Sequence, residues 1–202
     1  MFSLMGDSVS SGAKISVTRT YLAMTEPQAL RPSAQAPSSV ALRELDPCTV
    51  AEARLLYRSV GAAWEWTDRD RWPDDQLRDW LARPEVRSYR LDGPSHELLG
   101  YLELVRHPDD SCEIGYFGLV PAAMGRGVGG WFLTEAVRRA WQFALDGRPA
   151  IARVWLHTCT LDAPQALPNY LARGFTVTHV EHYDHPRSGP DATERTAAGT
   201  TS

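Results

Sequence analysis

The run from Gly118 to Leu133, GLVPAAMGRGVGGWFL, constrains the fold more than any other part of the chain. An apolar strand is predicted to end at Val120, and a proline and a glycine-rich loop lead directly into an amphipathic helix. Glycine lets the backbone bring several N–H groups close to one ligand, and the helix dipole favours a negatively charged ligand. The run therefore predicts a strand–loop–helix unit that binds a phosphorylated molecule.

Composition limits the class of protein that can carry this unit. The chain has 202 residues, 43% of them hydrophobic, which suits one packed domain of ordinary size. Its formal net charge of -4 weighs against a nucleic acid partner, because phosphate neutralisation needs clustered Lys and Arg. The three cysteines, Cys48, Cys112 and Cys159, are widely spaced and predict neither a disulfide framework nor a zinc site. No apolar run is long enough for a membrane span or a secretory signal, so we expect a cytoplasmic protein without a membrane partner.

The two ends of the chain differ in composition from the middle. Residues 1–37 are rich in Ser, Ala, Gly and Pro, and we predict a disordered N-terminal extension there. Translation from Met24 instead of Met1 is compatible with that interpretation. Residues 186–202 have the same character and are predicted to form a disordered tail, which leaves residues 38–185 as the folded domain.

Apolar periodicity divides the middle of the chain into alternating element types. We predict strands at 40–45, 86–91, 98–105, 112–120, 151–158 and 175–183, and helices at 49–60, 74–81, 127–145 and 166–173. Turn residues between the three consecutive strands from 86 to 120 favour an antiparallel meander. The order of elements predicts one mixed α/β domain without an internal repeat.

The glycine loop could in principle bind a dinucleotide, because Gly125, Gly127 and Gly130 satisfy the pattern G-x-G-x-x-G. A dinucleotide-binding unit places this loop after its first strand and an acid about 20 residues later, at the end of the next strand. Here several strands precede the loop, and the next strand reaches an acid only at Asp162. The position of the loop therefore disfavours a nicotinamide or flavin cofactor.

Two motifs in order resemble those of the GNAT superfamily of N-acetyltransferases, whose Q/R-x-x-G-x-G/A loop holds the pyrophosphate of acetyl-CoA. The loop from Met124 to Gly129 matches this pattern, with Met124 in place of the usual Gln or Arg. The segment from Tyr170 to Phe175 resembles the family's Y-x-x-x-G-F helix end, and the phrases YFGLVP and VWLHTCTLDAP resemble a bacterial, mostly uncharacterised subgroup. The likeness extends over about residues 40–183.

The resemblance implies a fold and a co-substrate. The expected fold is a GNAT-type mixed, mostly antiparallel central sheet flanked by helices, with a splay between two parallel strands that binds CoA. Backbone groups of Gly118, Leu119 and Val120 would bind the pantetheine arm of acetyl-CoA. The pyrophosphate would be held by the glycine loop and helix start, namely Gly125, Arg126, Gly127, Val128, Gly129 and Gly130.

The resemblance also implies catalytic residues. Tyr170 would protonate the departing CoA thiolate, and the alternative is a tyrosine packed in the core. Glu113 would act as the general base, directly or through a water, and Glu103 on the preceding strand is the second candidate. For either carboxylate the alternative is a solvated strand residue. His157 and Cys159 are interpreted as structural.

The implied activity is transfer of an acetyl group to a primary amine by direct attack, on an acceptor that is expected to be a small molecule. A non-catalytic acyl-CoA-binding module of the same fold remains the alternative. Trp64, Trp66 and Trp72 could line an acceptor pocket or pack in the core. The series His179, His182 and His185 invites a metal site, but residues three apart on a strand face opposite sides, so none is expected. A monomer and a homodimer are both compatible with the sequence.

Overall fold

The computed structural model describes residues 14–33 and 40–186, which form one sheet with helices packed against it. The strands are β1 Lys14–Met24, β2 Ala41–Leu45, β3 Val86–Asp92, β4 Leu98–Arg106, β5 Ser111–Leu119, β6 Arg153–Cys159 and β7 Thr176–Pro186. The α-helices are α1 Val50–Gly61, α2 Asp74–Leu81, α3 Val128–Trp141 and α4 Ala166–Ala172. The predicted strands and helices of the middle of the chain are all present, with ends that differ by a few residues.

The seven strands lie in the order β2-β3-β4-β5-β6-β1-β7. The pairs β2–β3, β3–β4, β4–β5, β6–β1 and β1–β7 are antiparallel, whereas β5 and β6 are parallel. This arrangement confirms the predicted mixed, mostly antiparallel sheet and the predicted meander.

The parallel pair β5–β6 separates soon after it begins. Only Ser111 to Glu113 of β5 pair with Arg153 to Trp155 of β6, although the strands contain 9 and 7 residues. A bulge at Gly115 follows, because Glu103 of β4 lies opposite Tyr116 whereas Leu104 lies opposite Ile114. A bulge bends its strand, and here it lies where β5 leaves β6. The predicted splay between two parallel strands is therefore present.

Strand β1 corrects the predicted domain boundary. Residues 14–24 lie between β6 and β7, and Val17 and Leu22 are fully buried. The prediction of disorder over residues 1–37 is therefore wrong for residues 14–33, and the domain extends to Lys14 or beyond. The segment KISVTRTYLAM is rich in β-prone Ile, Val, Thr and Tyr, a signal that the average composition of the longer region obscured. The remainder of the predicted extension, and the tail after Pro186, lie outside the described residues.

The helices pack their apolar faces on the sheet. Helix α1 begins with a capping box, in which the Thr49 side chain accepts from the Glu52 N–H and the Glu52 side chain accepts from the Thr49 N–H. Helix α3 contributes Phe132 and Leu133 to the core beside β4 and β5, and both side chains are fully buried. Within the described residues the longest helix is α3, with 14 residues, and no helix is long and apolar enough to cross a membrane.

Gly174 follows the end of α4 and lies close to the backbone of Ala29. Its φ is +100°, and a Cβ atom there would lie 2.0 Å from the backbone oxygen of Ala29. Gly147 also has a positive φ, +73°, but a Cβ atom there meets nothing within 4 Å. We expect Gly174→Ala to lower the free energy of unfolding by more than about 3 kcal/mol, and Gly147→Ala by about 1 kcal/mol. Urea denaturation measures both, and equal losses would contradict the close contact with Ala29.

Candidate active site

A cavity of about 930 Å³ opens where β5 and β6 diverge. Its walls come mainly from β5, the glycine loop, the start of α3, β6, α4 and the segment between α1 and α2, with further residues from β1, α2, β4 and β7. All three predicted catalytic residues line it, namely Tyr170, Glu113 and Glu103. The predicted cofactor residues among its lining are Gly118, Leu119, Gly125, Gly129 and Gly130. The fold thus brings residues from widely separated parts of the chain into one site.

The start of α3 is built on glycine and has no side-chain cap. The N-cap residue Gly127 has φ +75° and supplies no side chain that could accept from the first N–H groups of the helix. Gly125 has φ +73°, so both positions favour glycine because of the backbone conformation. The Val128 side chain is buried in the core, and Arg126 is exposed. The first turn therefore keeps backbone N–H groups, at the positive end of the helix dipole, without a side-chain cap.

Backbone groups of β5 point alternately toward β4 and toward the gap beside β6. The Val120 N–H donates to the Leu99 carbonyl at 2.9 Å, so the prediction that Val120 is a free donor is wrong. By the same alternation Gly118, opposite Tyr101, turns its backbone groups toward β4, which corrects that prediction as well. The backbone groups of Leu119 face the gap, so Leu119 remains a candidate for binding the pantetheine arm. The backbone groups of Phe117, which the sequence analysis did not select, face the gap as well. The sequence specified the strand, but which residues face the gap depends on the register with β4.

Tyr170 lies on α4 with only 7% of its surface exposed. Its ring centroid is 6.3 Å from those of both Phe117 and Phe175. Burial, and to a lesser extent the Asp162 carboxylate, raise the pKa of Tyr170 above its ordinary value. The phenol is therefore neutral near pH 7 and can donate a proton into the cavity.

Glu113 is the last residue of β5 that pairs with β6. Its Oε2 atom lies 2.9 Å from Nε2 of His107, whose ring packs against Trp155 with centroids 5.5 Å apart. The side chains of Glu113 and His107 are 19% and 34% exposed. The carboxylate therefore lines the cavity and is hydrogen-bonded to a partly exposed imidazole.

Glu103 is more deeply buried and already paired. Its side chain is 2% exposed, and its Oε1 atom accepts from Arg69 Nη2 at 2.6 Å. Trp80 Nε1 and the Tyr101 hydroxyl donate to the same carboxylate at 3.2 and 2.9 Å. Burial raises the pKa of Glu103, and the Arg69 charge opposes that rise. Because donors occupy both oxygens, the geometry favours Glu113 over Glu103 as the group that accepts a proton from a ligand.

Arg69 connects this carboxylate to the aromatic residues of the α1–α2 segment. Its guanidinium lies 4.1 Å from the ring centroid of Trp72 and 4.5 Å from that of Trp80. Trp64 and Trp66 line the cavity, whereas Trp72 packs against Arg69. Of the three tryptophans that the sequence analysis singled out, Trp64 and Trp66 thus line the candidate site, and Trp72 lies behind it against Arg69.

Two further residues of the site were not found from the sequence. Asp68 accepts hydrogen bonds from the hydroxyls of Tyr116 and Tyr57, the latter at 2.6 Å. Burial opposes ionisation of Asp68, but these two hydrogen bonds, a backbone hydrogen bond and the nearby Arg69 charge together lower the pKa of the carboxyl. Asp68 and Tyr116 are 48 residues apart and belong to no common motif, so only the fold could bring them together.

The other residues considered in the sequence have separate partners. His179 packs against Tyr21, His182 lies 3.1 Å from the Thr18 hydroxyl, and His185 lies 3.7 Å from Glu65, so the three do not converge. Asp162 accepts from the Thr158 hydroxyl and the Cys159 N–H in the turn after β6. The side chains of His157 and Cys159 line the cavity.

Comparison with known proteins identifies the fold. No family model and no curated protein matches the sequence. Among solved structures, a GCN5-related N-acetyltransferase from Kribbella flavida is 16% identical with a TM-score of 0.57, covering 89% of this chain and 62% of that one. One from Sphaerobacter thermophilus is 17% identical with a TM-score of 0.58, covering 83% and 51%. A GCN5-related N-acetyltransferase-like protein from Streptococcus suis is 9% identical, with a TM-score of 0.58 and coverage of 90% and 66%.

The chain therefore has the fold of the GCN5-related N-acetyltransferases, which confirms the predicted fold class. It spans between half and two-thirds of the length of these three structures. Identities this low show the fold and leave the activity to be argued from the site.

Proposed function

We propose that this protein is an acetyl-CoA-dependent N-acetyltransferase that acetylates a primary amine by direct attack. The observation that carries the proposal is the single cavity that joins the gap between β5 and β6, the start of α3, and the side chains of Tyr170 and Glu113. In this fold, each of these parts has a task that acetyl transfer requires.

The binding of acetyl-CoA would use backbone groups. The first turn of α3 would hold the pyrophosphate, since its N–H groups have no side-chain cap and the helix dipole is positive there. Leu119 and Phe117 would hydrogen-bond the pantetheine arm as an added strand. Arg126, exposed beside the loop, would add positive charge, and Met124 takes the place of the polar residue usual in the family motif.

The chemistry requires two proton transfers. The amine nitrogen attacks the thioester carbonyl carbon, a C–N bond forms and the C–S bond breaks. Glu113 accepts the proton that the amine loses, and Tyr170 gives its phenol proton to the thiolate, so that the products are the amide and the free thiol. Solvent then restores both groups, for Glu113 through His107. Each proton transfer contributes about 10²–10⁴-fold to the rate.

The proposal is tested by measuring thiol release from acetyl-CoA in the presence of a panel of primary amines. We expect release that depends on the amine and saturates with its concentration. Calorimetric binding of acetyl-CoA without release for any amine in the panel would instead support the non-catalytic acyl-CoA-binding module.

The assignment of the start of α3 leads to a separate prediction. Gly129 faces the cavity in helical conformation, and a Cβ atom there makes only an ordinary contact, 3.5 Å from Leu119. A leucine side chain at this position would extend into the phosphate site without straining the backbone. We expect Gly129→Leu to weaken acetyl-CoA binding at least about tenfold, which corresponds to ~1.4 kcal/mol in calorimetry. Gln142→Leu, at the opposite end of α3, is the matched control, and equal affinities for both variants would contradict the assignment.

A further inference from the structure

One wall of the cavity carries Asp68 beside Arg69, whose guanidinium lowers the pKa of Asp68 but forms its ion pair with Glu103 instead. We call it the Asp68 wall, and its residues are Trp64, Glu65, Trp66, Asp68 and Tyr116. Neighbouring carboxylates have a basic partner, since Glu103 pairs with Arg69, Glu113 with His107, and Glu65 with His185. Among residues 14–33 and 40–186, no Lys, Arg or His side chain forms an ion pair with Asp68. Its only side-chain partners there are the neutral hydroxyls of Tyr57 and Tyr116.

Aromatic rings lie on one side of this carboxylate, which is otherwise exposed. The ring centroids of Trp66 and Tyr116 are 5.1 Å apart, and Tyr57 lies 5.6 Å from Trp66 and 5.3 Å from Tyr116. Trp66 and Tyr116 both line the cavity. Aromatic faces attract cations, and the attraction is strongest where water is excluded. A carboxylate beside such rings is suited to an alkylammonium group.

The group bound at Asp68 must differ from the group that reacts. The attacking amine has to be neutral, and Glu113 is the carboxylate placed to take its proton. Asp68 has both oxygens fixed by phenol hydroxyls and stays ionised, so it stabilises an amine that remains protonated. The cavity is large enough, at about 930 Å³, for an acceptor that reaches both carboxylates.

We propose that the Asp68 wall binds a second, protonated amino group of the acceptor, so that the preferred acceptor is an aliphatic diamine or polyamine. This inference rests on the proposed transferase function. It also predicts diamine binding that can be measured without acetyl transfer.

The test compares linear α,ω-diaminoalkanes with monoamines of the same chain length. With wild-type protein we expect KM for the best diamine to be at least about tenfold below that of its monoamine. Asp68→Asn should remove this difference, with kcat little changed and the KM of the monoamine unaltered. Asp75→Asn, an equal charge change on the exposed start of α2, should behave as wild type.

A second variant covers the case in which Asp68→Asn does not fold, which its thermal unfolding would show. Trp66→Leu removes the aromatic face and should raise KM for the diamine roughly two- to fivefold more than it raises KM for the monoamine. Equal effects on diamine and monoamine, or no preference for the diamine in the wild type, would overturn the inference.

A different outcome would separate this inference from the proposed function. If calorimetry shows diamine binding that Asp68→Asn abolishes, while no amine releases thiol, the binding site stands and the transferase proposal falls. If mono- and diamines release thiol equally and Asp68→Asn changes neither, the transferase proposal stands and the diamine site at Asp68 falls.

Discussion

Replacing Tyr170 by phenylalanine should lower kcat for acetyl transfer by about 10²–10³-fold while the affinity for acetyl-CoA stays the same. The hydroxyl is the only part of the side chain that the substitution removes, so the packing of the ring against Phe117 and Phe175 is retained. Since burial raises the pKa of Tyr170, the wild-type phenol is protonated throughout the neutral range, as the proposed role of proton donor to the thiolate requires. Steady-state kinetics and calorimetry together separate the two effects.

Tyr89→Phe is the control for the Tyr170 experiment. Tyr89 is a buried tyrosine of β3 that does not line the cavity, so its replacement should leave kcat near the wild-type value. An unchanged kcat for Tyr170→Phe would show that the residue is a core tyrosine and that another group, or water, protonates the thiolate.

A chain that begins at Met24 should fail to fold. It lacks nearly all of β1, the strand that pairs with β6 on one side and β7 on the other. Each fully buried aliphatic side chain of β1, including Val17 and Leu22, contributes about 1.5–3 kcal/mol, and β7 would lose the partner that joins it to the sheet. Together these losses are comparable with the ~5–15 kcal/mol stability of an ordinary domain. Circular dichroism during heating should show no cooperative transition.

The control for this truncation is a chain that begins at Met5, which keeps all of β1. We expect it to unfold at the temperature of the full chain. A chain from Met24 that unfolds cooperatively at the same temperature would contradict the position of β1 between β6 and β7.

Local patterns were sufficient to predict most elements of the fold. The box formed by Thr49 and Glu52, the proline and glycines after β5, and the glycine after α4 are signals within a few residues of each other, and each marks an element end. Strand β1 was missed because its alternation occupies 11 residues within a longer region of disorder-prone composition. Its partners, β6 and β7, follow more than a hundred residues later, so no local pattern could indicate the pairing.

In the candidate site too, the residues that lie in local sequence motifs were predicted, and those that only tertiary packing brings together were not. Tyr170, Glu113 and the glycine loop were predicted because they stand in motifs or next to one. The free backbone groups of β5 were predicted only in part, since the register with β4 decides that Leu119 faces the gap and Val120 does not. Asp68 and its phenol partners come from three separate segments, and their association depends wholly on tertiary packing.

The measurement that tests the central claim most directly is the ratio of thiol released to N-acetylated amine formed, with the full chain, acetyl-CoA and an aliphatic diamine. Free thiol is measured spectrophotometrically, and the acetylated amine by mass spectrometry of the same reaction. An acetyltransferase that works by direct attack predicts equal amounts of the two products, with release that requires the amine. Thiol release without acetylated amine, or acetyl-CoA binding without release for every amine, would contradict the account.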